Sequence, residues 1–260
     1  MEKTHLKLAG IIVFFAFSLL TSLPSYGFDF GARGYYWRPD FSGEVQVDDN
    51  SIIGTTIDAE NDLGMDDESY PTIEVFFGLG NHHLTLSYTK ADYSGENNIA
   101  RDIVFNGQTY TSNTFVESDL KFQMLDLEYQ YDFINLENFL AGFSLGVLAK
   151  AKYIEGEARL QAASLGYDEK DTFKVPVPML GLELHVGLLA DILEARVKGA
   201  GIIYSGSTFY DAQADLSFTP IPFVAIHGGY RAMKLKIDDI SDVSADIEFK
   251  GPYAGLTISF

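Results

Sequence analysis

Beyond residue 27, apolar side chains recur at every second position, and no apolar run there reaches the length of a membrane-crossing helix. A period of two marks a strand, because successive side chains point to opposite faces. In 126–132 the odd positions Leu127, Tyr129 and Tyr131 are apolar or aromatic, while Asp126, Glu128, Gln130 and Asp132 are polar. In the next segment Leu145, Val147, Ala149, Ala151 and Tyr153 share one face, opposite Ser144, Gly146, Lys150 and Lys152. Leu180, Leu182, Leu184 and Val186 alternate with Gly181, Glu183 and His185, and Val197 and its neighbours alternate with Glu194, Arg196 and Lys198. Tyr210, Ala212, Ala214 and Leu216 alternate with Asp211, Gln213 and Asp215, and Ile226 and Tyr230 with His227 and Arg231.

A soluble sandwich also alternates, but two features favour a membrane barrel. The polar faces mix charge with Gly and Ser, as a narrow interior requires, and the apolar stripes approach the ~9–11 residue span of a tilted membrane strand. Strands that cross a bilayer must close on themselves, because every backbone polar group there has to be paired. The expected fold is therefore all-β: a transmembrane, antiparallel, up-and-down barrel.

The N-terminus predicts a cleaved signal peptide over 1–27. Lys3 and Lys7 precede an apolar run over 8–20, and Ser25-Tyr26-Gly27 places small residues at the two inspected positions. About thirteen apolar residues are short for an anchor helix, which needs ~20. The barrel domain then occupies 28–260. The net charge of −19 argues against a nucleic-acid partner. With no cysteine, disulfides and thiolate metal sites are impossible.

Short turns are expected near 80–82, 134–138, 190–192 and 219–222, with longer outer loops at 40–70, 93–115, 155–173, 204–208 and 238–245. Four inner turns with both termini inside imply about ten strands, with eight as the alternative.

The chain ends Tyr253-Ala254-Gly255-Leu256-Thr257-Ile258-Ser259-Phe260. This resembles the assembly signal of bacterial outer-membrane proteins, carried here by Tyr253, Gly255, Leu256, Ile258 and Phe260. Ile258 departs from the pattern, where an aromatic is frequent. The whole of 28–260 resembles small outer-membrane barrels of the broad OmpA/OmpW-like kind. The resemblance implies an outer-membrane location, contact with membrane lipid and lipopolysaccharide, and insertion by the barrel-assembly machinery. It fixes no activity, because one architecture hosts many functions.

Two constellations stand out. Asp48, Asp49, Asp58, Glu60, Asp62, Asp66, Asp67 and Glu68 crowd the first long loop, with no Lys or Arg between Arg38 and Lys90. The readings are a solvated acidic face, a calcium site, or acids bridged by divalent cations to lipopolysaccharide phosphates. The spacing is not that of an EF-hand, since Leu63 stands where its glycine would. Second, Arg33, Glu74, Asp126, Glu128, Glu183, His185, Arg196, Asp215, His227 and Arg231 fall on the inward phase, as do Lys150, Lys152, Glu194 and Asp211. Their mixed signs predict a salt-bridged plug, with a pore lining as the alternative. Omptin-type proteases pair outer-rim acids with a histidine, and Asp66, Asp67, Asp238 and Asp239 approach such a rim. No outer loop supplies the histidine, so no catalytic residue, cofactor or metal ligand is assigned, and a non-enzymatic protein with a structural or surface-interaction role is expected, with a narrow channel for small or hydrophobic solutes as the alternative and a surface hydrolase third.

Overall fold

The computed structural model describes residues 28–47, 54–105, 107–136, 142–189, 192–240 and 243–260. The expected signal peptide lies outside them. The described strands are β1 (Phe28–Trp37), β2 (Asp40–Val47), β3 (Ile57–Asp58), β4 (Tyr70–Leu79), β5 (His82–Asn98), β6 (Ile103–Phe105) and β7 (Gln108–Tyr110). They continue with β8 (Phe115–Asn135), β9 (Phe143–Ala162), β10 (Tyr167–Leu189), β11 (Leu193–Tyr204), β12 (Ser207–Ile221), β13 (Val224–Ile240) and β14 (Val243–Ser259).

Ten of them, β1, β4, β5 and β8 to β14, form an antiparallel barrel in which each strand pairs with its neighbours in that order. The seam is β1 against β14, with Gly31 opposite Ser259 and Trp37 opposite Tyr253. At the inner rim Phe260 and Phe30 exchange backbone hydrogen bonds of 2.8 and 3.2 Å. After a break at Arg38-Pro39, β2 carries the seam outward along β14, from Asp40 opposite Lys250 to Val47 opposite Val243.

In the inner half of each strand the apolar side chains point out. Leu125, Leu127, Tyr129 and Tyr131 of β8 are exposed, whereas Asp126, Glu128, Gln130 and Asp132 are buried in the lumen. Further out, the phase inverts. Met124 and Phe122 are buried inside, and Gln123 and Lys121 face outward. β9 inverts between Tyr153 and Ile154, and Glu155 and Glu157 then face outward, paired with Lys174 and Lys170 of β10. The inner zone faces hydrocarbon and has a polar lumen; the outer zone faces water and has an apolar core. Tyr36, Tyr88, Tyr153, Tyr210 and Tyr230, all exposed, ring the boundary as an aromatic girdle.

The inversion corrects the expected outer loops. Much of 155–173 is strand, because β9 runs to Ala162 and β10 begins at Tyr167. β2 occupies part of 40–70, β5 reaches Asn98, and β13 and β14 leave little of 238–245 as loop. At 23 residues, β10 is about twice the ~9–11 needed to cross a bilayer. Beyond it, β3, residues 59–69 and the β6–β7 hairpin form a cap. Its apolar cluster joins Ile57, Ile99, Ile103 and Tyr110 to Val116, Leu160 and Ala162 at the strand ends.

The boundary can be measured. Leu127→Arg should cost about 2–4 kcal/mol of refolding stability in a bilayer, as charges on a lipid face near the midplane do. Gln123→Arg, on the same face of the same strand, should cost under about 0.5 kcal/mol, as a surface change. Equal losses would place the membrane boundary elsewhere on β8.

Candidate functional site: a charged lumen beneath an apolar chamber

Besides Asp132 and Glu194, which lie against His83 and His185 nearer the inner opening, the inward phase of the strands gathers six carboxylates, those of Glu74, Asp126, Glu128, Glu183, Asp211 and Asp215, and six cations, those of Arg33, Lys150, Lys152, Arg196, Lys198 and Arg231. All but Arg196 are buried. The balance is what desolvation demands, since an unpaired charge inside a barrel is costly. The acidic excess of the chain therefore lies outside this layer.

Asp211 of β12 is the hub. Arg231 of β13 grips it as a fork, Nε to Oδ1 at 2.9 Å and Nη2 to Oδ2 at 2.8 Å. Lys150 and Lys152 of β9 approach it at 3.2 and 3.3 Å. Lys152 also donates to Asp126 at 2.6 Å, and Lys198 to Glu128 at 2.9 Å. A second centre is Asp215, which accepts from Arg196 at 3.2 Å and from the Tyr253 hydroxyl at 3.0 Å, with Arg33 at 3.5 Å. Arg33 links on to Glu74, 3.7 Å away, and the Tyr35 hydroxyl donates to the same carboxylate. His227 shares a 3.1 Å hydrogen bond with Thr257.

Inward glycines make room for these side chains. A Cβ on Gly229 would stand 2.7 Å from the Tyr253 ring and hydroxyl, so Tyr253 reaches Asp215 by lying across a bare stretch of β13.

Below the network a cavity of about 560 Å³ includes Glu183, His185, Glu194, Asp132 and His83 in its lining. His185 and Glu194 are 3.5 Å apart, and His83 and Asp132 3.0 Å. Above the network the lumen is filled by Tyr35, Trp37, Phe41, Tyr70, Tyr93, Phe122, Met124, Phe209, Met233 and Phe249. Arg231 joins the two layers, its guanidinium 4.8 Å from the centre of the Trp37 ring.

The sequence placed Tyr253 only in the C-terminal signal, whereas in the fold its hydroxyl belongs to the lumen. Gly255 is inward beside it, and Leu256, Ile258 and Phe260 are exposed on the outer face. Lys198 was missed from the inward charges, although its spacing of two from Arg196 marks the same face. The apolar chamber was missed altogether.

In the first loop, Asp58 accepts from the backbone N–H groups of Glu60 and Asn61 and from the Asn61 side chain. Burial raises its pKa, but these bonds outweigh burial and hold it below the ordinary aspartate value. Asp62 is paired with Arg101 at 2.6 Å, and Asp67 accepts from the Phe41 N–H at 2.9 Å. Among the described residues no three His, Cys, Asp or Glu side chains converge as a cation site.

The sequence matches no protein-family model and no curated protein. Solved structures do match. The outer membrane protease OmpT from Escherichia coli is 10% identical, over 92% of this chain and 100% of that one, with a TM-score of 0.50. The translocator domain of the autotransporter NalP from Neisseria meningitidis is 11% identical, covering 98% and 97%, with a TM-score of 0.43. Ail, the attachment invasion locus protein of Yersinia pestis, is 13% identical, covering 90% and 99%, with a TM-score of 0.36. The fold is that of the outer-membrane β-barrels; at these identities the likeness extends to fold alone.

Proposed function

We propose that the protein is a non-enzymatic outer-membrane barrel with a closed lumen, acting at the cell surface through its tall outer wall and cap. One observation carries this reading. The lumen is obstructed twice, first by the balanced charge network and then by the aromatic core above it. A hydrated ion would have to break the first and shed its water to pass the second.

Among the described residues no histidine stands at the outer rim, in keeping with a non-enzymatic role. His82, His83, His185 and His227, the described histidines, all lie toward the inner ends of their strands. The acidic outer surface suits contact with lipopolysaccharide phosphates through bridging divalent cations. Insertion would proceed through the barrel-assembly machinery, which would recognise the final strand.

Planar-bilayer recording of the refolded protein at neutral pH tests the reading. No steady ohmic current is expected. A stable open-channel current from the wild type would overturn the closed lumen and favour a pore.

A further inference from the structure

The outer wall has a step in it. β10 pairs with β11 only as far as Leu180 opposite Gly201, and β11 ends three residues later at Tyr204, so residues 167–176 of β10 rise beyond its end with no strand on that side among the described residues. β12 pairs with β13 only as far as Thr208 opposite Lys236, and β13 continues beyond. The low point between them is the two-residue turn Ser205-Gly206, with both residues at positive φ, 50° and 85°. Pro178, level with the last residues of β11, and Pro176, just beyond its end, lack the N–H that a paired or added strand would need. The foot of the free edge, where it leaves β11, is thus ill suited to strand addition.

Behind the step lies a cavity of about 70 Å³, lined only by apolar side chains, among them Phe122, Ile154, Phe173, Phe209, Leu235 and Phe249. Phe173 and Leu235, on the strands flanking the step, are partly buried, whereas the deeper Phe122, Phe209 and Phe249 are buried. The height of the cavity follows from its neighbours along the chain. Phe209 precedes Tyr210 and Ile154 follows Tyr153, and both tyrosines belong to the outward girdle. The cavity therefore sits level with the outer membrane interface. The sill below the step is greasy: Ile203 is 81% exposed and Tyr204 71%. Charges close the chamber beneath and the cap packs on the strand ends above.

We propose that this chamber takes the methyl end of the hydrocarbon chain of an amphiphile, which enters sideways over the β11–β12 turn from the outer leaflet. The lining has no polar group to hold a headgroup, so recognition is of the chain, and the head stays at the step. Burial of the apolar chain end supplies the affinity. An ion or a sugar would find no partner there.

The single tryptophan is a built-in reporter, because Trp37 is fully buried with its ring 6.5 Å from that of Phe249 in the lining. The full chain is refolded into bilayers and titrated with a fatty acid brominated near its methyl end. Trp37 fluorescence should fall at least twofold with saturation, recover on adding the unbrominated acid, and respond less to bromine beside the carboxyl. Leu235→Asp, which puts a charge in the entrance, should abolish the saturable part. Bilayers of phospholipids brominated on their acyl chains separate the sources. Quenching there without added acid identifies membrane lipid as the occupant; quenching by added acid alone identifies a free amphiphile. Quenching that does not saturate, that the unbrominated acid does not relieve, or that is equal in a folded Leu235→Asp protein, overturns the proposal. If that variant does not fold, the wild-type competition decides.

Discussion

Arg231→Ala should destabilise the barrel by about 3–5 kcal/mol in urea-driven unfolding from lipid vesicles, the loss expected when one partner of a buried ion pair is removed. Arg231 is 4% exposed and makes two charge-assisted hydrogen bonds to Asp211. It also lies 3.9 Å from Asp126, donates to Tyr35, and covers the Trp37 ring. Alanine removes all of these and leaves a carboxylate that two lysines alone must neutralise. Arg196→Ala should cost less. Its side chain is 25% exposed beside the inner cavity, where water can replace part of the 3.2 Å contact with Asp215. Arg231→Lys should recover the charge but not the fork and fall between wild type and alanine. A loss below about 1 kcal/mol for Arg231→Ala, the upper range for exposed pairs, would mean that water reaches the network.

That network and the chamber above it differ in how far the sequence discloses them. In the inner zone the two-residue period is read in one sense throughout, apolar out and polar in, so strand pairing and the inward phase of Asp126 or Arg231 can be read off directly. Past the girdle the same period continues with its meaning reversed. Met124 and Phe122 are apolar because they face inward; Gln123 and Lys121 are polar because they meet water. Alternation alone cannot say which face is the inside, and a segment whose polar phase has switched resembles a loop. This is why 155–173 reads as an outer connection although it is mostly strand. Pro176 and Pro178 compound the effect. They look like strand breakers, yet they lie within β10 where its ladder with β11 stops. Hydrogen bonds across the lumen are equally hidden: nothing in the spacing of Tyr253 and Asp215 announces that they meet, because barrel curvature brings together β14 and β12 over the bare glycine of β13.

The C-terminal strand gives the last expectation, a separation between folding and assembly inside one short motif. Gly255 faces inward opposite Tyr35 at the seam, and a Cβ there would run into the Gly34 carbonyl and stand 2.5 Å from the Tyr35 Cβ. Gly34 cannot retreat, because on its other side it pairs with Ile73 of β4. Gly255→Leu should therefore exceed the usual overpacking range and lose about 3 kcal/mol or more on refolding in detergent. Phe260 is different. It is 58% exposed at the inner rim, stacked between Phe30 and Phe223 at 5.4 and 5.5 Å. Full burial of such a side chain is worth about 1.5–3 kcal/mol, so deleting one less than half buried should cost under about 1.5 kcal/mol in detergent. In cells the order should change. Until the seam closes, the last strand has free backbone groups and offers Leu256, Ile258 and Phe260 as alternate anchors to an assembly partner by strand addition. Deleting Phe260 should then lower the folded protein in the membrane as severely as Gly255→Leu does. The readout is the heat-modifiable fraction in isolated membranes, set beside refolding stability of the purified variants. Should deletion of Phe260 leave cellular insertion intact, the C-terminus is not an assembly signal; should it match Gly255→Leu in detergent, Phe260 is part of the finished fold and its role in assembly follows from that alone.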